Sequence, residues 1–227
     1  MHKISIFEIT HYRDRYTKQI NKLIETLEGR LLPALSNIDE EVDRTLSELE
    51  RGAPDGTDLL MIQEAALNAS YEHFDLMSDV EQALINMFGA ALYHLFEQQL
   101  RMFHVRVLYE KPLEYAPQIL TAWNDGLGIS MPDEQSEGIK ELRLLANTIK
   151  HGDGDSAKSL FKMNPRLFRD IWEKDVDDDP SIKVHKPEVY TPMFGQGIYI
   201  EMDDIRRYQK NVLETWSTYF DQFSRVG

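Results

Sequence analysis

Between Val80 and Tyr109 the residues Leu84, Phe88, Ala91, Leu92, Leu95, Phe96, Leu100 and Phe103 recur by threes, fours and sevens and cover more than one stripe of a helix. At about 1.5 Å per residue such a helix is roughly 45 Å long. A helix apolar over that much of its circumference must be buried by neighbours on several sides or by a second subunit. That demand restricts the chain to a helical bundle built around this segment. The preceding Ser78-Asp79-Val80-Glu81 has the form of a capping box, which predicts that the helix opens there.

The remaining periodicity is also helical. Tyr16, Ile20, Leu23, Ile24 and Leu27 line one face between Thr10 and Gly29. Leu31, Leu35, Ile38, Val42, Leu46 and Leu49 line another, opposite Asp39, Glu40, Glu41, Asp43, Glu48 and Glu50, with Pro33 marking a kink or a new start. Arg51 to Gly56 is a loop, and a helical pattern runs from Asp58 to about Leu76. Shorter helices fit Leu113–Asp125, stopped at Gly126, then Ile139–His151, stopped at Gly152, and Ser156–Trp172 with a break at Asn164-Pro165. A Pro-rich acidic run, 173–187, leads to an alternating IYIEM with Val184–Tyr190 as its expected hairpin partner. Asp203 then caps a last helix whose Ile205, Tyr208, Val212, Trp216, Tyr219, Phe220 and Phe223 face inward. The expected fold is mainly α, with a small β-hairpin excursion before the last helix. Residues 1–57 supply N-terminal helices packing on the bundle and 58–172 its core. Residues 173–227 complete the same domain with the acidic loop, hairpin and final helix.

Composition sets limits on function. Thirty-nine acidic against 25 basic side chains leave a net charge of −14 over 227 residues, which disfavours a broad nucleic-acid-binding surface but permits a small basic cleft. With no cysteine there is no disulfide, thiolate zinc site or cysteine nucleophile. The first residues lack the uncharged run of a signal peptide, and Ala83–Phe96 falls short of the ~20 apolar residues of a membrane span. A soluble, cytoplasmic protein is expected, with no membrane partner.

One segment is chemically unusual. In ELRLLANTIKHGDG, Leu142, Leu145, Ala146 and Ile149 define a core face, while Arg143, Asn147, Lys150 and His151 fall together on one flank, joined by Lys140. Asn147 is four residues from both Arg143 and His151 and can reach either. An imidazole that moves protons beside cations that hold phosphate suits phosphoryl transfer. Lys150, His151 and Gly152 are equally the ordinary cationic end and glycine stop of a helix. That plain explanation accounts for neither Arg143 nor Asn147.

A core helix containing LYHLFEQQLR followed by a helix with LRLLANTIKHGDG resembles the HEPN superfamily over about Val80–Gly154, most strongly in the second segment. The resemblance implies an antiparallel helical bundle that forms a homodimer, and in many members a metal-independent endoribonuclease of toxin–antitoxin or phage-defence systems. RNA is then the substrate, and an antitoxin-like protein a partner. His151 would act as general base or acid at a cleft on the dimer axis, with a cation stabilising the phosphorane-like transition state. Leu144, near the polar flank, would contribute to the interface. The family pattern is an arginine, four to six residues, then histidine, often with asparagine directly after the arginine. Alignment on Asn147 and His151 places Ala146 at the arginine position, and Arg143 has seven intervening residues. Either Arg143 or Lys150 supplies the charge, or the domain is a non-catalytic relative that binds a nucleotide, RNA or protein. A purely structural helical protein is a third reading. Asp153 stands where some members carry a tyrosine that is modified with a nucleotide.

Other constellations carry less. Glu97 and Arg101, with His94, form a polar strip that could orient groups at the His151 cleft or be a simple i,i+4 ion pair. Asp175, Asp177, Asp178 and Asp179 lack the glycine and closing glutamate of a calcium loop. His73, His104 and His185 have no partner at metal-ligand spacing, and neither a G-x-G-x-x-G nor a G-x-x-x-x-G-K-[ST] loop is present. No metal or cofactor is expected.

Overall fold

The computed structural model describes residues 5–35, 38–52, 54, 58–169 and 186–226. The acidic run from 173 to 185 lies outside them, as does Val184 of the expected hairpin. Helix α1 (Ile6–Thr26) opens on a capping box in which Ser5 and Glu8 satisfy each other's backbone amides. It widens into a π turn at Leu27–Leu31 and a short α2 (Leu32–Leu35) containing Pro33, where the sequence marks a kink. Helix α3 (Ile38–Gly52) follows, then α4 (Leu59–Arg106), capped by the Asp58 carboxylate on the Leu60 amide. The bundle is completed by α5 (Ala116–Leu127), α6 (Asp133–His151), α7 (Asp155–Met163) and α8 (Met202–Val226), with 3₁₀ turns at Pro165–Phe168 and Pro192–Phe194.

Helix α4 is one element of 48 residues, and Ser78 does not open it. No proline or glycine interrupts 59–88, and buried Ala66 and Ser70 continue an inward face through the first half. A cap residue is worth about 1 kcal/mol and does not stop a helix that is propagating and packed. In its second half α4 is the central helix that the apolar pattern demands: α1, α5, α6 and α8 all pack on it. Phe103 is the hub, with ring centroids 5.9 Å from Trp123 and Trp216, 5.6 Å from Phe220 and 4.9 Å from Phe223. Each such pair adds roughly 0.5–1.5 kcal/mol beyond burial. Every α8 residue named as inward is buried. Helix α5 runs through Gly126 and stops at Gly128, whose φ of +67° is the left-handed cap.

The hairpin expected before α8 is replaced by another arrangement. Among the described residues there is no strand; 198–201 runs as a single extended segment with Ile198 and Ile200 buried. The Tyr199 amide donates to the Leu167 carbonyl at 2.8 Å. On the α4 side the partner is a pair of buried side-chain amides. Asn86 Nδ2 donates to the carbonyls of Pro192 and Ile198, both at 2.8 Å, and Gln82 Nε2 to that of Ile200 at 2.9 Å and to Asn86 Oδ1 at 3.1 Å. Gly89 lets the segment approach, since a Cβ there would sit 2.7 Å from Ile200 Cδ1. At Gly195 (φ +83°) a Cβ would lie 2.3 Å from the Asp79 carbonyl oxygen.

A second buried polar centre ties α6 to α8. Glu141 accepts from Arg207 at 2.8 and 3.2 Å, Tyr208 at 2.6 Å and Asn164 at 3.0 Å. Burial alone would raise the Glu141 carboxyl, but these hydrogen bonds outweigh it and hold it below its ordinary value. Its contribution is therefore complete above the unfolded pKa and lost as pH falls through the lower folded one. Glu141→Gln is expected to cost about 2 kcal/mol at neutral pH. In urea unfolding, that difference from wild type should shrink as pH falls below the ordinary glutamate range and through the lower folded value, where the stabilisation held by the ionised carboxyl is lost. Among the described residues no helix is long and apolar enough to cross a membrane.

Candidate functional site

Helix α6 lies antiparallel to α4, with Leu145 Cδ2 3.5 Å from a Cβ position on Gly89 and Arg143 acting electrostatically on Tyr93. Leu142, Leu144, Leu145, Ala146, Thr148 and Ile149 are buried and fix its rotation. That phase leaves Arg143 and Asn147 half-buried at the edge of the core and Lys150 and His151 exposed. None of the four makes a side-chain hydrogen bond or ion pair with another described residue, including between Asn147 and either neighbour one turn away. Lys140 differs in being paired: its ammonium is 3.3 Å from Glu137. Leu144 also differs from expectation. It is buried within the chain and offers no apolar surface to a second copy.

Of the four, Arg143 is the one that comes within electrostatic range of α4's polar strip, at Tyr93. Tyr93 is buried and its phenol is pushed up to about 12, by burial first and then by the Glu97 carboxylate, against the opposing charges of Arg143 and Arg101. Tyr93 is thus where the charges of the two helices meet, a residue that no sequence spacing singles out. Glu97 lies 3.6 Å from His94 and 3.7 Å from Arg101, and accepts from the Ala116 amide at 3.5 Å. Arg101 donates to the Glu114 carbonyl. This pair therefore also anchors the start of α5, which is a structural task independent of any chemistry at α6.

The helix stops at Gly152 (φ +71°), whose amide donates to Thr148 O at 2.8 Å. A Cβ there would lie 2.8 Å from the Val189 carbonyl oxygen and 3.7 Å from that of Tyr190, so only glycine admits the segment that follows the acidic run. Lys186 pairs with Asp153 and fastens the same segment. The result sets the Tyr190 backbone beside the end of α6 and its exposed ring within electrostatic range of Asp153. Its phenol donates to Glu188, which raises its pKa, and the Asp153 charge raises it further. Tyr190 is 39 residues from His151 in sequence, and only the tertiary packing brings it there.

The candidate site is therefore a strip of imidazole, guanidinium, ammonium and amide groups on α6, with the exposed Tyr190 packed by its backbone at the helix end. Such groups can move a proton, hold a phosphate and stack on a flat ring. The cavities described in the molecule are lined by other residues, one of them a 640 Å³ groove between α4 and 191–196 that includes Asp79, Met87 and Phe194. Among the described residues no three His, Asp or Glu side chains are placed to hold a metal. His104 is accounted for by the core: Trp123 Nε1 donates to its Nδ1 at 3.1 Å and its Nε2 meets the Lys111 carbonyl at 3.0 Å. No family model, curated protein or solved structure matches this chain.

Proposed function

We propose that this protein is a HEPN-like, metal-independent endoribonuclease of a toxin–antitoxin or phage-defence response, acting as a homodimer with Arg143, Asn147, Lys150 and His151 as its site. The observation that carries the reading is the set of four polar side chains gathered on one flank of α6, none with a hydrogen-bond or ion-pair partner among the described residues. In the reaction the ribose 2′-oxygen attacks the adjacent phosphorus. The P–O5′ bond breaks, and a 2′,3′-cyclic phosphate and a 5′-hydroxyl end are left. His151 takes the 2′-hydroxyl proton or delivers one to the departing 5′-oxygen, and Arg143 or Lys150 stabilises the charge on the phosphoryl oxygens. Tyr190 offers a stacking surface to an unpaired base. The strip is open in a single chain, so a second copy across a twofold axis would turn it into a cleft.

Incubation of the pure protein with mixed single-stranded RNAs and excess chelator tests this. Cleavage to 2′,3′-cyclic phosphate ends is the expected result. No cleavage over days at micromolar protein would sink it. One observation favours a second reading, in which the domain binds a nucleotide, RNA or protein without chemistry. Ala146, at the family's arginine position, is completely buried and cannot touch a phosphate. RNA retained in the same incubation without cleavage would select that reading.

A further inference from the structure

The arm formed by α3 and the first half of α4 is unlike the rest of the molecule. Helix α3 packs on α4 and on no other helix to a comparable extent, so the arm is two helices thick. Ala66 and Ser70 of α4 are buried on its inward side. About 100° around the helix, Leu60, Leu67, Tyr71 and Phe74 fall within a band of roughly 60° and are 71, 50, 60 and 39% exposed. Their spacing of seven, four and three residues is that of a helix-packing seam, and they extend over about 21 Å. The exposed acids Glu64, Glu72 and Asp75 lie on the other side of this band. From Ile38 to Asp79 the sequence holds twelve acidic side chains and two arginines, a net −10 of the whole chain's −14.

We infer that this arm docks a basic amphipathic helix of a partner protein. The partner's apolar face covers Leu60, Leu67, Tyr71 and Phe74, and its Lys and Arg side chains meet Glu64, Glu72 and Asp75. The charge selects this occupant. A second copy would bring −10 against −10, and RNA or an anionic membrane would be repelled. An apolar seam flanked by one sign of charge is how a groove recognises an amphipathic helix of the opposite sign. The surface is separate from the His151 strip, and the inference stands whether or not the protein cleaves RNA.

The test uses the full chain and two labelled synthetic helical peptides with leucines at the same 7-4-3 spacing, one filled with lysine and one with glutamate, followed by fluorescence anisotropy. The lysine peptide should bind saturably at one per chain and the glutamate peptide not at all. Leu67→Glu combined with Tyr71→Glu should weaken binding by about tenfold or more. Glu64→Lys combined with Asp75→Lys leaves the seam intact and should weaken it comparably at low salt, with the difference fading as salt rises. Circular dichroism checks that each variant is folded. Equal binding of both peptides, or indifference to both pairs of substitutions, overturns the inference. So does a wild-type dimer that the Leu67 and Tyr71 substitutions dissociate, because the occupant would then be a second copy. RNA cleavage by the same variants, measured in parallel, should stay at the wild-type level.

Discussion

Replacing His151 by alanine should lower RNA cleavage by about 10²–10⁴-fold and leave the protein folded. The rate loss is the usual share of a positioned general acid or base. The stability expectation comes from its surroundings: His151 is exposed, at the last position of α6, with no side-chain partner among the described residues. It can contribute only its interaction with the helix end, worth at most about 1 kcal/mol when charged. The thermal midpoint should therefore stay within about 4 °C of wild type. Initial rates on one defined RNA, together with a melting curve, check both halves. A variant that cleaves at the wild-type rate would remove His151 from the mechanism. A variant that melts much earlier would show that the histidine serves the fold instead.

Substitution of Asn86 should have the largest effect on stability. Its amide is completely buried and donates to the Pro192 and Ile198 carbonyls while accepting from Gln82. In Asn86→Ala two carbonyls lose their donor and Gln82 one acceptor, in a place water reaches only by opening the α4 contact. At about 1–3 kcal/mol for each orphaned group, a total near 4 kcal/mol is expected, and a midpoint lowered by about 8–16 °C. Asn86→Asp keeps the shape and reverses the chemistry, since a carboxylate opposite two carbonyls donates nothing. It should be at least as damaging at neutral pH and less so in acid. Burial raises that carboxyl's folded pKa, so the deficit is largest above it and shrinks once the acid is protonated and can donate. Chemical denaturation of both variants at two pH values separates these outcomes.

The parts of this fold that were legible in the sequence are those decided within one helix. The inward faces of α6 and α8 and the glycine stop after His151 depend on a 3.6-residue period and a residue that accepts positive φ, and they are found where the pattern puts them. What was not legible depends on contacts far along the chain. IYIEM alternates because Ile198 and Ile200 are buried and their neighbours are not, and alternation carries no information about what pairs with the backbone. The partners are Gln82 and Asn86, more than 100 residues earlier, on a helix face that reads simply as polar positions in an apolar run. The cap signal at Ser78 lost to packing in the same way. Leu144 looked stranded on a wheel because the wheel shows one helix, whereas α6 is embraced by α4, α7 and α8. Within the candidate site, the strip on α6 was visible, whereas Tyr93 and Tyr190 join it only through the α4 and 186–190 contacts.

The replacement of a strand partner by side-chain amides has a consequence for how this molecule can associate. An unpaired strand margin offers a row of free amides and carbonyls on which any extended peptide can zip, whatever its sequence. Here Gln82 and Asn86 occupy the Ile200 and Ile198 carbonyls, Leu167 occupies the Tyr199 amide, and no strand occurs among the described residues. Growth by strand addition has no starting point there. The exposed surface that remains is made largely of helix faces, on which side-chain shape and charge would have to choose any partner.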